Sequence, residues 1–364
     1  MTERTMHGER GVGRPTGSGG LPAALERAWY RGGPLSTLLL PLSWLVCRVA
    51  TLRRWLHGRG ILGVRRFPVP VIVVGNLTVG GTGKTPLVIW LAHFLLAAGY
   101  RPGIVSRGYG GRARSYPQQV RPDSDPGVVG DEALLISRNT GCPMAVGPDR
   151  PAAVAALLAH NRCDVVISDD GLQHYRLARD VEIAVMDGTR RLGNGRCLPA
   201  GPLREPARRL EEVDLVVTSG GALQGEFPMT YRGETLVPLA GGEPLRIGAF
   251  MSREVHAVAG VGNPGRFFQA LRDRGIRVME HPFPDHHRYL ASDLAFGDGR
   301  PVLMTEKDAV KCERFAVDNQ WYLPVDAELA PAFGQRLLQL LNRIDGAQRD
   351  TTRTCSDREA GNGQ

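Results

Sequence analysis

The sequence predicts an α/β fold: a mostly parallel sheet flanked by helices, a second, smaller α/β lobe, and an apolar helix near the N-terminus. Three observations predict it. Short β-branched apolar runs alternate with helical periods between residues 67 and 220, the pattern of a buried parallel sheet. The pattern resets beyond residue 220. A length of 364 residues with 42% hydrophobic content fits two domains with sizeable cores. No uninterrupted apolar run is long enough for a plain transmembrane helix.

Residues 1–20 are rich in Gly, Ser, Thr and Arg and have no apolar period, so they read as a disordered leader without a signal peptide. Residues 21–66 are apolar and basic. Within them Leu35–Leu52 is strongly apolar, broken by Pro41 and Arg48 and followed by Arg53 and Arg54. That composition suits a helix lying in a membrane interface, with arginines at headgroup level; a helix packed on the core is the alternative. From Arg27 to Pro122 there are thirteen arginines, one lysine and no acidic residue. This basic window must face nucleic acid, phospholipid or a phosphorylated substrate.

The main core is expected over 67–220. Val69–Val74 reads as a buried strand, and Leu87, Val88, Leu91, Phe94 and Leu95 mark a helix stopped by Gly99. Further strands are expected at Gly103–Ser106, Val165–Ser168, Ile183–Met186 and Leu215–Thr218, with a helix at Arg150–His160. The second lobe is expected over 221–344, with strands at Glu254–Gly260 and Pro301–Thr305 and a helix at Pro264–Arg274. Residues 345–364 form a polar, disordered tail. The six cysteines are scattered with no CxxC pair, which argues against a zinc cluster or a disulfide scaffold and fits a reducing compartment.

Between the first strand and its helix lies Thr78-Val79-Gly80-Gly81-Thr82-Gly83-Lys84-Thr85. Glycines let successive backbone N–H groups curl around phosphate oxygens, and the helix N-terminus faces the same anion. Lys84 is placed for the β- and γ-phosphates and Thr85 for magnesium. Thr78 stands where the Walker A pattern has its first Gly. Only three lysines occur, Lys84, Lys307 and Lys311, so a lysine at the motif position carries weight. The loop makes the core P-loop NTPase-like. Its Walker B partner is Val165–Ser168 followed by Asp169 and Asp170, either of which can meet magnesium directly or through water.

The blocks GNLTVGGTGKTP, SRGYGG, GDEALL, DDGLQH, LPAGPLREP, GVGNPGRFF, FPDHH and MTEKDAVKC, in this order between about Trp29 and Asn342, resemble tetraacyldisaccharide 4′-kinase, the lipid A kinase of Gram-negative bacteria. The resemblance implies ATP and magnesium as cofactors. It also implies phosphorylation of the 4′-hydroxyl of a tetraacyl glucosamine disaccharide 1-phosphate, giving lipid IVA. The expected location is the cytoplasmic face of the inner membrane, peripheral or monotopic. An anionic glycolipid and a membrane surface, not nucleic acid, are then the expected partners of the basic window. By the same resemblance the catalytic pair is Asp131, from GDE, with His286, from DHH. His287 is the neighbouring alternative, and Asp131 also suits a helix cap. Arg107, Arg112, Arg114, Arg190, Arg191 and Arg204 are candidates for the 1-phosphate or lipid headgroups. Tyr109 suits a sugar ring or turn packing, and His174 helps place the phosphates.

Two other classes compete with this reading. A P-loop GTPase-like regulator or metallochaperone shares the loop, but Thr305-Glu306-Lys307-Asp308 has its lysine one place late for guanine reading, and no His/Cys cluster is evident. A nucleic-acid-binding ATPase fits the basic charge, but the basic window is also the apolar one, and aromatics are only 6%, too few for stacking platforms.

Overall fold

The computed structural model describes residue 25, residues 27–30 and residues 32–344; the expected leader 1–20 and tail 345–364 lie outside them. The elements run α1 (Pro34–Leu38), α2 (Leu40–Gly58), β1 (Val71–Gly75), α3 (Lys84–Ala97), β2 (Pro102–Ser106), β3 (Gln118–Val120), α4 (Pro126–Val129), α5 (Asp131–Thr140), β4 (Met144–Val146), α6 (Arg150–His160), β5 (Val165–Ser168), β6 (Val181–Asp187) and β7 (Leu215–Ser219). There follow β8 (Phe227–Arg232), β9 (Thr235–Pro238), β10 (Leu245–Arg246), β11 (Glu254–Ala259), α7 (Pro264–Arg272), β12 (Arg277–Pro282), β13 (Val302–Thr305), α8 (Glu306–Cys312), β14 (Gln320–Leu323) and β15 (Asp326–Leu329). Residues 331–344 are helical.

Nine strands form the main sheet in the order β15-β8-β7-β6-β1-β5-β2-β4-β3. Its interior pairs are parallel, and only the two edge strands run antiparallel. β1 shows why it is central. Ile72 and Val74 join one apolar layer with Leu87, Leu91 and Leu134, whereas Val71 and Val73 join the opposite layer with Val154 and Leu157. Alternate side chains of one strand thus feed two helix layers. The second sheet has six strands in the order β10-β9-β14-β13-β11-β12, with its own apolar layers.

The expected boundary at residue 220 is corrected by this topology. β8 and β15 hydrogen-bond into the main sheet, and Phe333, Leu337 and Leu341 are buried in the layer of Leu87 and Leu91. The chain leaves the main sheet after β8, builds the second lobe, and returns. A run of sequence cannot reveal that return, because strand pairing is not ordered along the chain.

The region 21–66 is helical where expected, but the faces of α1 and α2 are reversed from those of an ordinary surface helix. Ser36, Ser43 and His57 are buried. Ser36 Oγ donates to Ala200 O, and Ser43 Oγ donates to Cys197 O at 2.7 Å. Leu38, Leu42, Leu45, Val49 and Leu52, three or four residues apart, face outward and are at least half exposed. Cys47 and Cys197, 150 residues apart, form a disulfide with a Cα–Cα distance of 6.0 Å. That corrects the reading of the scattered cysteines: pairing follows from proximity in the fold, not from spacing in sequence.

Candidate active site

The phosphate loop leaves β1 at its C-terminal edge and enters α3 at Lys84. Asn76 Nδ2 donates to Thr78 O (2.7 Å) and Gly80 O (3.3 Å), bending the loop back on itself. Gly83 has φ 92°, a conformation that favours glycine, and a Cβ there would collide with the Tyr231 hydroxyl. Thr78 pairs with Leu203, and Val79 N donates to Pro202 O at 2.9 Å. The LPAGPLREP segment therefore braces the position where a first glycine is missing. Lys84 Nζ donates to Asn76 Oδ1 (3.1 Å) and lies 3.6 Å from Asp170 Oδ1.

Asp169 and Asp170 follow β5 beside this loop and differ in environment. Asp170 accepts from Arg204 Nη1 at 3.0 and 3.1 Å. Burial alone would raise its pKa, but Lys84 and Arg204 outweigh burial and hold it below the usual carboxylate value. Asp169 accepts from Ser106 Oγ at 2.9 Å through one oxygen. Its Oδ1 is buried with no hydrogen-bond partner among the described residues. Burial first, then Glu132 and Asp170, push Asp169 up to about 6. A buried, under-satisfied carboxylate surrounded by other carboxylates suits a hard divalent cation.

Asp131 is the first residue of α5, on the main sheet's side, and is 5% exposed. His286 belongs to the second lobe. Its Nδ1 lies 3.1 Å from both carboxylate oxygens of Asp131. His286 has φ 59°, a costly conformation for a non-glycine residue that fixes where the ring points. The ring of Tyr109 lies 4.7 Å from it, centroid to centroid. Burial would raise the pKa of Asp131, but His286 and Lys307 bring it below the usual value. Burial lowers His286, but Asp131 raises it more, leaving it above the ordinary imidazole value. His287 is 3.0 Å from Asp293 and packs with Phe283 and Tyr289, so of the two adjacent histidines it is His286 that meets Asp131.

Residues 35–342 match the family model described as tetraacyldisaccharide-1-P 4′-kinase. The chain belongs to this kinase family. It is 56% identical over 317 residues to the tetraacyldisaccharide 4′-kinase of Nitrosococcus oceani, covering 87% of this chain and 94% of that one. It is 55% identical over 324 residues to the enzyme of Alkalilimnicola ehrlichii, covering 88% and 97%. Among solved structures, the crystal structure of LpxK from Aquifex aeolicus in complex with ATP is similar, with a TM-score of 0.71 and 31% identity, covering 84% of this chain and 99% of that one. As a tetraacyldisaccharide 4′-kinase the chain is a phosphotransferase of lipid A biosynthesis.

Of the other sequence candidates, Arg204 and His174 line the DDGLQH side of this kinase's phosphate loop. His174 is lowered to about 4, by burial first and then by Arg150. Tyr109 is exposed on the loop after β2 with its ring against His286, whereas Arg107, exposed on the same loop, acts electrostatically on His174 and Arg150. Arg191 is not placed with them: it pairs with Glu226 at 2.7 and 2.9 Å. Arg190 donates to Gly262 O at 3.2 Å and lies over the Tyr30 ring. A Cβ on Gly80 would lie 3.9 Å from Arg190 Nη1, so Arg190 stands against the phosphate loop. Residues that sequence reasoning missed include Arg150, fully buried and donating to Asp169 O at 3.1 Å. Burial lowers Arg150 to about 10. Arg266 was also missed; it joins Asp187 at 2.8 Å and lies over Tyr231, seating the GVGNPG segment on the phosphate loop. Arg150 has no signal to single it out among so many arginines, and Arg266 has only its place in the GVGNPGRFF block.

Proposed function

We propose that Asp131 takes the proton of the sugar 4′-hydroxyl while His286 donates its Nδ1–H to that carboxylate. The residues Thr78–Thr85 hold the phosphates of ATP. A sugar hydroxyl is a poor nucleophile, and in a loose phosphoryl-transfer transition state it loses its proton late. What the protein supplies is position, charge and a base within hydrogen-bond reach. Asp131 is ionised at neutral pH by virtue of its partners. Lys84, already held at the loop by Asn76 and Asp170, is assigned to the β- and γ-phosphates. Thr85 and Asp169 would hold magnesium, with Asp170 beside them, and magnesium bound there supplies charge neutralisation on the phosphate oxygens. Tyr109, exposed beside His286, and Arg107, exposed on the same loop toward His174, are assigned to the glycolipid acceptor, with Arg204 and His174 on its phosphate side.

The acceptor lives in a membrane, and the outward stripe on α1 and α2 suits its surface. No helix among the described residues is long and apolar enough to cross a bilayer. The exposed row Leu38, Leu42, Leu45, Val49 and Leu52, with Trp44 and Trp55, is flanked by Arg48 over Trp44 at 4.8 Å and Arg59 over Trp55 at 5.4 Å. Apolar residues facing out beside arginines and tryptophans are the features of an interfacial helix. We therefore assign the chain a peripheral position on the cytoplasmic face of the inner membrane.

The observation that carries the catalytic reading is the Asp131–His286 pair, made by residues from opposite lobes. Its test is label transfer from γ-phosphate-labelled ATP to disaccharide 1-phosphate lipid in mixed micelles. Asp131→Asn and His286→Ala are each expected to lower kcat by roughly 10²–10⁴ with little change in KM for ATP. The double variant is expected to be less than multiplicatively worse. A raised KM for ATP with normal kcat in Asp131→Asn would move Asp131 to the nucleotide site.

A further inference from the structure

The C-terminal end of α2 does not seat closely on the body. Between its last turn, the segment that follows it and the start of α6 lies a cavity of about 600 Å³, walled by His57, Leu62, Val64, Arg65, Asp149 and Arg176. That volume is in the range of small-ligand sites. The two arginines come from distant segments and are brought to one wall by backbone pairing. Arg65 N donates to Arg176 O at 2.8 Å, and Ala178 N donates to Arg65 O at 3.0 Å. None of Lys84, Asp131 and His286 borders the cavity.

His57 is its most telling residue. It is 7% exposed, and its Nδ1 is buried with no hydrogen-bond partner among the described residues. Such an atom costs free energy unless something meets it. Burial first, then Arg53, with Arg179 and Arg176 behind, hold its imidazole below the ordinary value. The field at this wall is therefore positive, although Asp149 lies in the same wall, 3.2 Å from Arg176. Pro151 and Ala152, also in the wall, bring the positive end of the α6 dipole to it.

We propose that this cavity binds the headgroup of an anionic membrane phospholipid, with its phosphate held by Arg65, Arg176 and His57. Arginine forks suit paired phosphate oxygens. The lip of the cavity decides between a lipid and a free anion. Ile61, Leu62 and Val64 are exposed there and follow directly on the outward apolar row of α2. A site for a free anion has no use for apolar residues at its mouth. A lipid phosphate enters at headgroup depth with its chains beside them. The proposal leans on the membrane-surface reading of α1 and α2 and on no catalytic role. A lipid bound there ties the end of α2 to the body and orients the kinase on the surface that carries its acceptor.

The experiment is calorimetric titration of the full chain with dihexanoyl-phosphatidylglycerol below its critical micelle concentration, so that no bilayer takes part. One saturable site is expected. Arg65→Gln combined with Arg176→Gln should weaken it about tenfold or more with an unchanged melting curve, since both side chains are exposed. Arg59→Gln, at the same helix end but outside the cavity, should leave it unchanged. Asp149→Asn still caps α6 and removes the carboxylate from the wall, so it should tighten binding about threefold. Dihexanoyl-phosphatidylcholine and inorganic phosphate should each bind at least about tenfold more weakly than the anionic lipid. Inorganic phosphate binding as tightly as the lipid would leave an anion site with no lipid in it and overturns the proposal. Equal loss in Arg59→Gln, or no loss in the double variant, overturns it too. If the disaccharide 1-phosphate lipid displaces the probe and its KM rises in the double variant, the cavity belongs to the acceptor's own phosphate and the phospholipid assignment fails. If the probe binds as expected while polar changes along the α2 row leave the protein on vesicles, the cavity stands and only the membrane reading of α2 fails.

Discussion

Asp169 and Asp170 are neighbours in sequence that titrate in opposite directions. Asp170 has Lys84 and Arg204 against it, and Asp169 has burial, Glu132 and Asp170. The consequence for stability follows from linkage. A carboxyl raised from its ordinary value to about 6 binds more protons folded than unfolded between roughly pH 4 and pH 6. Stability from this group therefore falls as pH rises through that window and stays reduced at pH 7. Asp169→Asn removes the charge that the fold must accommodate. It is expected to raise Tm at pH 7 to 8, to leave Tm unchanged at pH 4, and to lose transfer activity. Calorimetry at the two pH values checks this; an equal rise at both would mean that charge is not the cause.

At the scale of elements, α1 and α2 are held by polar contacts on their inner face and leave apolar residues outside. Changing Leu42, Trp44, Leu45, Val49 and Leu52 to polar residues should therefore spare the fold and release the protein from anionic vesicles. Each lost CH₂ equivalent in the interface costs about 0.8 kcal/mol of binding, so five large side chains outweigh any single arginine. Vesicle co-sedimentation with an unchanged melting curve is the expected pair of results. Continued pelleting would place the anchor elsewhere. The composition of Leu35–Leu52 made the helix legible, but which face looks outward depends on Ser36, Ser43 and Cys47 meeting residues 197–200. Contacts so distant in sequence leave no local period. The same limit divides the site. β1 and its glycine loop read directly from one strand–loop–helix pattern, and Asp169 from the end of a second apolar strand. Arg150, Glu132 and Lys307 gain their roles only when separate segments meet. The scarcity of lysine and the MTEKDAVKC block both point toward Lys307, and neither gives a partner.

Across the whole molecule, the chain crosses between sheets twice, and the two crossings lie side by side. β8 pairs with β15 in the main sheet, and β9 pairs with β14 in the second. Gly233 backs onto Pro324 O, where a Cβ would lie 2.7 Å away. A two-stranded ribbon thus joins the lobes. The ion pair of Lys307 with Glu132 and the contact of His286 with Asp131 close the opposite side. Ribbon and contacts together hold the lobes against each other at the candidate site, whose Asp131–His286 pair exists only when both lobes meet, as suits a kinase that must exclude water from ATP.

The placement of all three lysines around the candidate site turns an enzyme of digestion into a gauge of its opening. A protease that cuts after lysine meets three bonds in this chain, each within a helix and each beside a side chain no more than 15% exposed. Cleavage therefore waits on local opening, and its rate follows the population of the open form. ATP should slow scission after Lys84, and ATP together with the glycolipid should slow all three. A Lys307→Met variant, lacking the bridge to Glu132, should be cut faster after Lys311. Fragment sizes on a gel would then show which bond is cut, and the rates of their appearance how often the lobes part and which ligand draws them together.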